Sequence, residues 1–191
     1  MKIYTIIGGV NGCGKSSLTG AIKAERKDLG TIIDVDKINA SFDGDKVAGG
    51  KKAIEKINHC IEQGLSFTQE TTLSGARTAT TAKKAKENGY NIRLYYVGLD
   101  SAQESVKRIQ NRVAKGGHDI PKEDVLRRFN NRFEALKKIL PYCNEALFFD
   151  NDNGFMEVAE YKYGELILKG YKHPKWIEKI NDNLKYENQP L

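Results

Sequence analysis

Residues 2–17 read KIYTIIGGVNGCGKSS, an apolar, β-branched run that breaks into glycines and then meets Lys15 and Ser16. The first part has the composition of a buried strand. The second part, Gly9-Val-Asn-Gly-Cys-Gly14-Lys15-Ser16, matches G-x-x-x-x-G-K-[ST]. Leu18, Ala21, Ile22 and Arg26 then recur at helical spacing. Strand, glycine loop and helix in that order make a phosphate cradle. Glycines let successive N–H groups face one anion, and the helix adds its positive end. Lys15 is placed to reach the β- and γ-phosphates of a nucleotide and Ser16 to bind Mg²⁺, with Gly9, Asn11, Gly12, Cys13, Gly14 and Ser17 completing the cradle. The N–H groups and Lys15 around Cys13 predict a lowered thiol pKa and a redox-sensitive loop. An inert loop cysteine is the alternative.

Outward from the loop, strands are predicted over residues 30–36, 66–70, 91–99 and 146–150. Helices are predicted over 16–27, 46–63, 76–88, 101–114 and 122–140. The alternation predicts an α/β fold: a P-loop NTPase-type parallel sheet of about five strands with helices on both faces. Past Asp150 the pattern changes to a turn at 151–154, a β hairpin over 156–162 and 165–169, and a helix over 174–184. The expected organisation is a kinase domain over 1–152, with 153–191 as a hairpin and helix packed on it.

The chain has 191 residues, 31 Lys+Arg against 25 Asp+Glu, and a formal charge of +6. That length supports one core. The positive charges are interspersed with acids, as on a solvated surface, so phosphorylated small molecules are expected as partners and nucleic acid is not. No apolar run reaches the roughly 20 residues of a membrane span, and residues 1–10 lack a signal-peptide pattern. Three cysteines, Cys13, Cys60 and Cys143, make neither a disulfide framework nor a metal spacing. A reducing cytoplasm is the predicted setting.

Candidate chemistry gathers at predicted strand ends, where ligands of open parallel sheets bind. Asp34 and Asp36 close the second strand, and their spacing puts both on one side of an extended segment. One is suited to accept a proton from an attacking hydroxyl, the other to hold Mg²⁺ through water. A helix N-cap before Lys37 is the alternative. Glu70 closes the third strand and, with Thr71, Thr72 and Ser74, forms a polar cluster suited to sugar hydroxyls or phosphate, unless the threonines cap the next helix. Asp100 is read as the cap of the helix from Ser101. Arg108, Arg112, Arg127, Arg128 and Arg132 flank Gly116-Gly117-His118, as in a helical lid that neutralises a transferring phosphoryl group. Surface ion pairs account for part of this set, Arg132 in particular.

Taken together, GVNGCGKSS from Gly9, DVDKIN from Asp34, FTQETTLSG from Phe67, RVAKGGHDIP from Arg112 with Arg127-Arg128-Phe129, and Phe149-Asp150-Asn151 resemble the zeta-toxin family of P-loop kinases, nearest its chromosomal branch. The resemblance spans about residues 3 to 152. It implies an ATP-dependent, Mg²⁺-using kinase acting on the 3′-hydroxyl of a UDP-N-acetyl amino sugar, with an antitoxin as a further partner. By position, Lys15 and Ser16 would serve ATP and Mg²⁺, and Asp36 would be the base. Glu70, Thr71 and Thr72 would hold the sugar, and Arg112 and Arg128 would clamp phosphates. Asp34, Arg77 and His118 join the substrate side. The family pattern often has Asn where Asp34 stands, an arginine shortly after the base where this chain has Asn39, and an arginine directly after the Ser-Gly pair, where Ala76 precedes Arg77. A polynucleotide or nucleoside kinase, or a non-catalytic ATP-binding module, remains the alternative.

Overall fold

The computed structural model describes residues 1–42, 45–117, 119–171 and 173–187. Strand β1 (Ile3–Gly8) runs into the glycine loop and helix α1 (Lys15–Glu25). There follow β2 (Thr31–Asp34), α2 (Val35–Ala40), α3 (Lys46–Glu62), β3 (Phe67–Thr71), α4 (Arg77–Glu87) and β4 (Asn91–Val97). Then come α5 (Ala102–Val113), α6 (Lys122–Ile139), β5 (Glu145–Asp150), β6 (Met156–Lys162), β7 (Glu165–Leu168) and α7 (Lys175–Glu187).

The sheet order is β2-β3-β1-β4-β5-β6-β7. The first five strands are mutually parallel, and β6 and β7 are antiparallel additions. The predicted hairpin is therefore part of the main sheet, which has seven strands rather than about five. The physical reason is local. Pairing with β6 covers the edge that β5 would otherwise leave open, with a register shift opposite Phe148 and Phe149. Strand β1 is buried along its whole length, as expected of a parallel strand covered on both faces.

One face of the sheet packs Tyr4, Ile6, Phe67, Leu94 and Tyr96 against α3, α4, α6 and α7. The other packs Ile7, Tyr95 and Val97 against Leu18 and Ile22 of α1. Trp176 of α7 is 1% exposed. Its indole donates to Asp150 Oδ1 at 3.0 Å, and its ring fills the space where a Gly98 side chain would stand, 2.2 Å from the Cβ position. Asp100 accepts from Trp176 N at 2.9 Å. Ser101, rather than Asp100, caps α5 by accepting from Glu104 N. Asp100 thus serves the start of a distant helix, which local sequence does not reveal.

One expectation about the second strand changes. It ends at Asp34, and residues from Val35 form a short helix. Asp34 accepts from Lys37 N at 3.0 Å and so caps α2, with Asp36 in the first turn. The two acids therefore do not share one side of an extended segment. In addition, β3 lies between β2 and β1, so β3 is the strand beside the phosphate loop. Ile7 pairs with Glu70 and Gly8 with Thr71.

Candidate functional site

The glycine loop crosses the carboxyl end of β1 at the point where the sheet order reverses. Gly14 is the N-cap of α1 with φ 105°, a conformation that strains residues bearing a Cβ. A Cβ there would also lie 2.4 Å from Asn151 Nδ2. Asn151 Nδ2 donates to Cys13 O at 2.9 Å, so the turn after β5 props the loop from behind. Asn11 is buried, and its backbone oxygen accepts from Ser105 of α5 at 2.5 Å. The Lys15 ammonium donates to Gly9 O at 3.0 Å and Val10 O at 3.1 Å, folded back over its own loop.

Of the two readings of Cys13, the structure favours the inert one. Its side chain is fully buried, and that burial pushes the thiol pKa up despite the nearby Lys15 and Arg108 charges. Desolvation of a thiolate outweighs the loop's positive field here.

Two cavities open above the strand ends. One, of about 400 Å³, is bounded by the loop residues Gly12, Gly14, Lys15, Ser16 and Ser17 and by Arg108 and Arg112. The other, of about 530 Å³, is bounded by Asn39, Gln69, Thr71, Thr72, Ser74, Arg77 and Arg128 over an apolar wall of α3. Asp36 and Glu70 line both. Glu70 is 5% exposed, and its Oε2 accepts from Ser16 Oγ at 2.8 Å. Asp34 lines the loop-side cavity, ion-paired with Lys37 at 3.3 Å.

Arg128 belongs to both cavities' surroundings. It borders the second, while its Nη1 donates to Asn11 Oδ1, part of the first, at 3.0 Å. Its Nε is buried and makes no hydrogen bond among the described residues. Arg127 faces outward, paired with Asp124 at 2.6 Å. Arg132 is not a surface charge. It is 7% exposed, stacked on the Phe129 and Phe133 rings at 3.6 and 3.9 Å, and burial lowers its pKa. His118 lies outside the described residues.

The polar cluster after Glu70 is organised by Leu73, which is fully buried with φ 51°. Leu73 N donates to Thr71 Oγ1 at 3.2 Å, and the Thr72 and Ser74 hydroxyls pair at 3.0 Å. Neither threonine caps α4, whose N-cap is Ala76 with no side-chain hydrogen bond. Gln69, held by the buried Tyr4 hydroxyl, also lines the site without being among the predicted residues, and so does Asn39, named above only for the arginine that the family pattern has there. Gln69 had a legible signal, since it stands one residue before Glu70 in the quoted FTQETTLSG stretch. Among the described residues no cluster of three His, Cys, Asp or Glu side chains could hold a metal, and no helix is long and apolar enough to cross a membrane.

The family description "Zeta toxin" matches residues 49–153, more than half of the chain. An uncharacterised protein of Haemophilus influenzae is 33% identical over 126 residues, covering 63% of this chain and 88% of the relative. Among solved structures, a chain from the PezAT chromosomal toxin–antitoxin system of Streptococcus pneumoniae superposes with TM-score 0.63 at 16% identity, over 98% of this chain and 87% of that one. The AvrRxo1-ORF1:AvrRxo1-ORF2 complex with ATP gives TM-score 0.66 at 17% identity, over 95% of this chain and 64% of that one. At these identities the likeness is one of fold. The family match carries the assignment: the chain belongs to the zeta toxin family, on a P-loop kinase fold.

Proposed function

We propose that the protein is an ATP-dependent kinase that transfers the γ-phosphate to a hydroxyl of a small nucleotide-linked acceptor, a UDP-N-acetyl amino sugar being the first candidate. One observation carries this reading: a loop-lined cavity and a hydroxyl-rich cavity share Asp36 and Glu70 as their common wall. Phosphoryl transfer needs donor and acceptor in line with little covalent participation by protein, so positioning and charge do most of the work.

In this reading the triphosphate occupies the loop side. Lys15 leaves its loop carbonyls for the β- and γ-phosphates, and Arg108 and Arg112 neutralise the transferring group. The acceptor occupies the other side among Gln69, Thr71, Thr72 and Ser74. Asp36, in the first turn of α2, takes the proton of the attacking hydroxyl as the oxygen bonds to phosphorus and ADP leaves. Arg128, tied to Asn11, bridges the two halves. The donor set suits Mg²⁺: Ser16 would be a direct ligand with Glu70 behind it, and phosphate oxygens and water would complete the shell. Magnesium would supply charge neutralisation on the phosphates.

The zeta toxin family, the ATP of the AvrRxo1 complex and the two-component nature of the PezAT system support ATP as donor and an antitoxin protein as partner. The test is incubation with γ-labelled ATP and a panel of UDP-sugars, nucleosides and oligonucleotides, with products read by mass. A phosphorylated UDP-sugar is expected. Label on oligonucleotides alone, with salt-sensitive binding, would make the protein a polynucleotide kinase. ATP binding with no transfer to any acceptor would leave a binding module.

A further inference from the structure

Helix α3 carries two adjacent glycines, Gly49 and Gly50, near its start. Glycine inside a helix is less favourable than alanine, and Gly49 has no left-handed φ to require it. A close approach does. A Cβ on Gly49 would lie 2.3 Å from Asn39 Oδ1, 2.7 Å from Asn39 Cα and 3.1 Å from Asn39 N. The last turn of α2 therefore rests on the bare backbone of α3, closer than any side chain allows. Gly20 in α1, by contrast, has nothing within 4 Å of its Cβ position.

Asn39 is one turn beyond Asp36 on the same six-residue helix. The Asn39 Oδ1 is buried and makes no hydrogen bond among the described residues, so the contact with Gly49 is steric rather than polar. At its other end α2 is fixed to β2 by the Asp34 cap. A short helix held by a cap at one end and a notch at the other has its height over the sheet set by the notch. Asp36 lies between the two cavities at that height.

We infer that Gly49 is a positioning residue for Asp36: its missing side chain sets how deeply α2 sinks, and so where the carboxylate stands relative to the phosphate loop. The inference rests on Asp36 as the acceptor-side base. Filling the notch lifts α2 and withdraws the carboxylate, while the loop and its nucleotide contacts stay in place.

The test is Gly49→Ala, with Gly20→Ala as the matched control. Gly20→Ala gains helix propensity, so Tm rises by about 2–4 °C and turnover is unchanged. Gly49→Ala is expected to lower kcat for γ-labelled ATP with UDP-N-acetylglucosamine by about 100-fold, with KM for ATP unchanged. Asn39→Ala keeps the backbone contact and should lose less kcat than Gly49→Ala. Wild-type kcat in Gly49→Ala, a raised KM for ATP, or a larger loss in Asn39→Ala overturns the inference. So does loss of the folded state by circular dichroism, which would make Gly49 a folding residue only. If the wild-type protein phosphorylates none of the panel, the functional reading has failed instead. Crystal structures of the wild type and Gly49→Ala then decide this point alone: α2 displaced relative to the loop supports it, and α2 unmoved overturns it.

Discussion

The Ser16 hydroxyl donates to Glu70 at 2.8 Å, linking the residue that follows the loop lysine to the end of the neighbouring strand. A buried carboxylate in that place orients Ser16 and adds negative charge where a divalent cation would stand. Glu70→Gln is expected to raise the Mg²⁺ concentration needed for half-maximal turnover by about 10–100-fold. Acceptor KM should change little. A raised acceptor KM with unaltered Mg²⁺ dependence would instead assign Glu70 to the acceptor.

Lys15 and Asp36 should separate binding from chemistry. Lys15→Ala removes the only side-chain cation of the glycine loop and is expected to abolish nucleotide binding in calorimetry. Asp36→Asn keeps shape but cannot accept the hydroxyl proton, so ATP binding should persist while transfer falls by about 10²–10⁴-fold. Normal transfer by Asp36→Asn would remove the base from the proposed mechanism.

Much of this arrangement was legible in the sequence. The glycine loop, its flanking strand and helix, and the parallel alternation follow from periodicity and from glycine's conformational range. What could not be read is long-range. Glu70 meets Ser16 because β3 inserts beside β1, and strand order is not written in local pattern. The extended run of β-branched residues before Asp36 predicts an acid at a strand end. The Asp34 cap wins locally and starts a helix one residue earlier. Arg132 has the same i,i+4 spacing as a surface arginine, and only the packing of two phenylalanine rings over it reveals its burial.

Trp176 connects the C-terminal helix to the loop through a short chain of contacts. It bonds Asp150, and the next residue, Asn151, bonds the Cys13 carbonyl. Trp176→Ala is expected to cost about 3–5 kcal/mol of stability, measured by urea denaturation followed by circular dichroism, since this is the single tryptophan. Trp176→Phe retains most of the ring and strands the Asp150 acceptor, for a loss of about 1–3 kcal/mol. Equal losses in both variants would show that the indole N–H matters more than its volume.

The three cysteines should be slow to alkylate in the native protein. Burial raises the Cys13 and Cys60 thiols, and Cys143 is pushed up to about 12 by the same cause. Thiolate is the reacting species. Iodoacetamide at neutral pH is expected to leave all three unmodified by mass while nucleotide binding is unchanged. Rapid labelling of Cys13 would restore the redox-sensitive loop as a reading.

Acid should weaken an ion-pair cluster at the opposite end of the sheet from the site. Asp28 accepts from Arg26 at 3.0 and 2.9 Å and from the buried Arg93 at 3.2 Å. The Arg26 hydrogen bonds, followed by Arg93, hold its carboxyl well below the usual range. A carboxylate of depressed pKa contributes stability that is fully present above its unfolded value, about 3.9, and is lost as pH falls through the folded value. The carboxylate is about a third exposed, so solvent screening limits its worth. Asp28→Asn is therefore expected to cost about 1 kcal/mol at pH 7. The gap between wild type and variant in urea denaturation should be the same at pH 7 and about pH 5, then shrink as pH falls below about 4. A gap that stays constant down to about pH 3 would mean that the folded and unfolded carboxyls titrate alike, and would remove the arginine pairing as the source of the stabilisation.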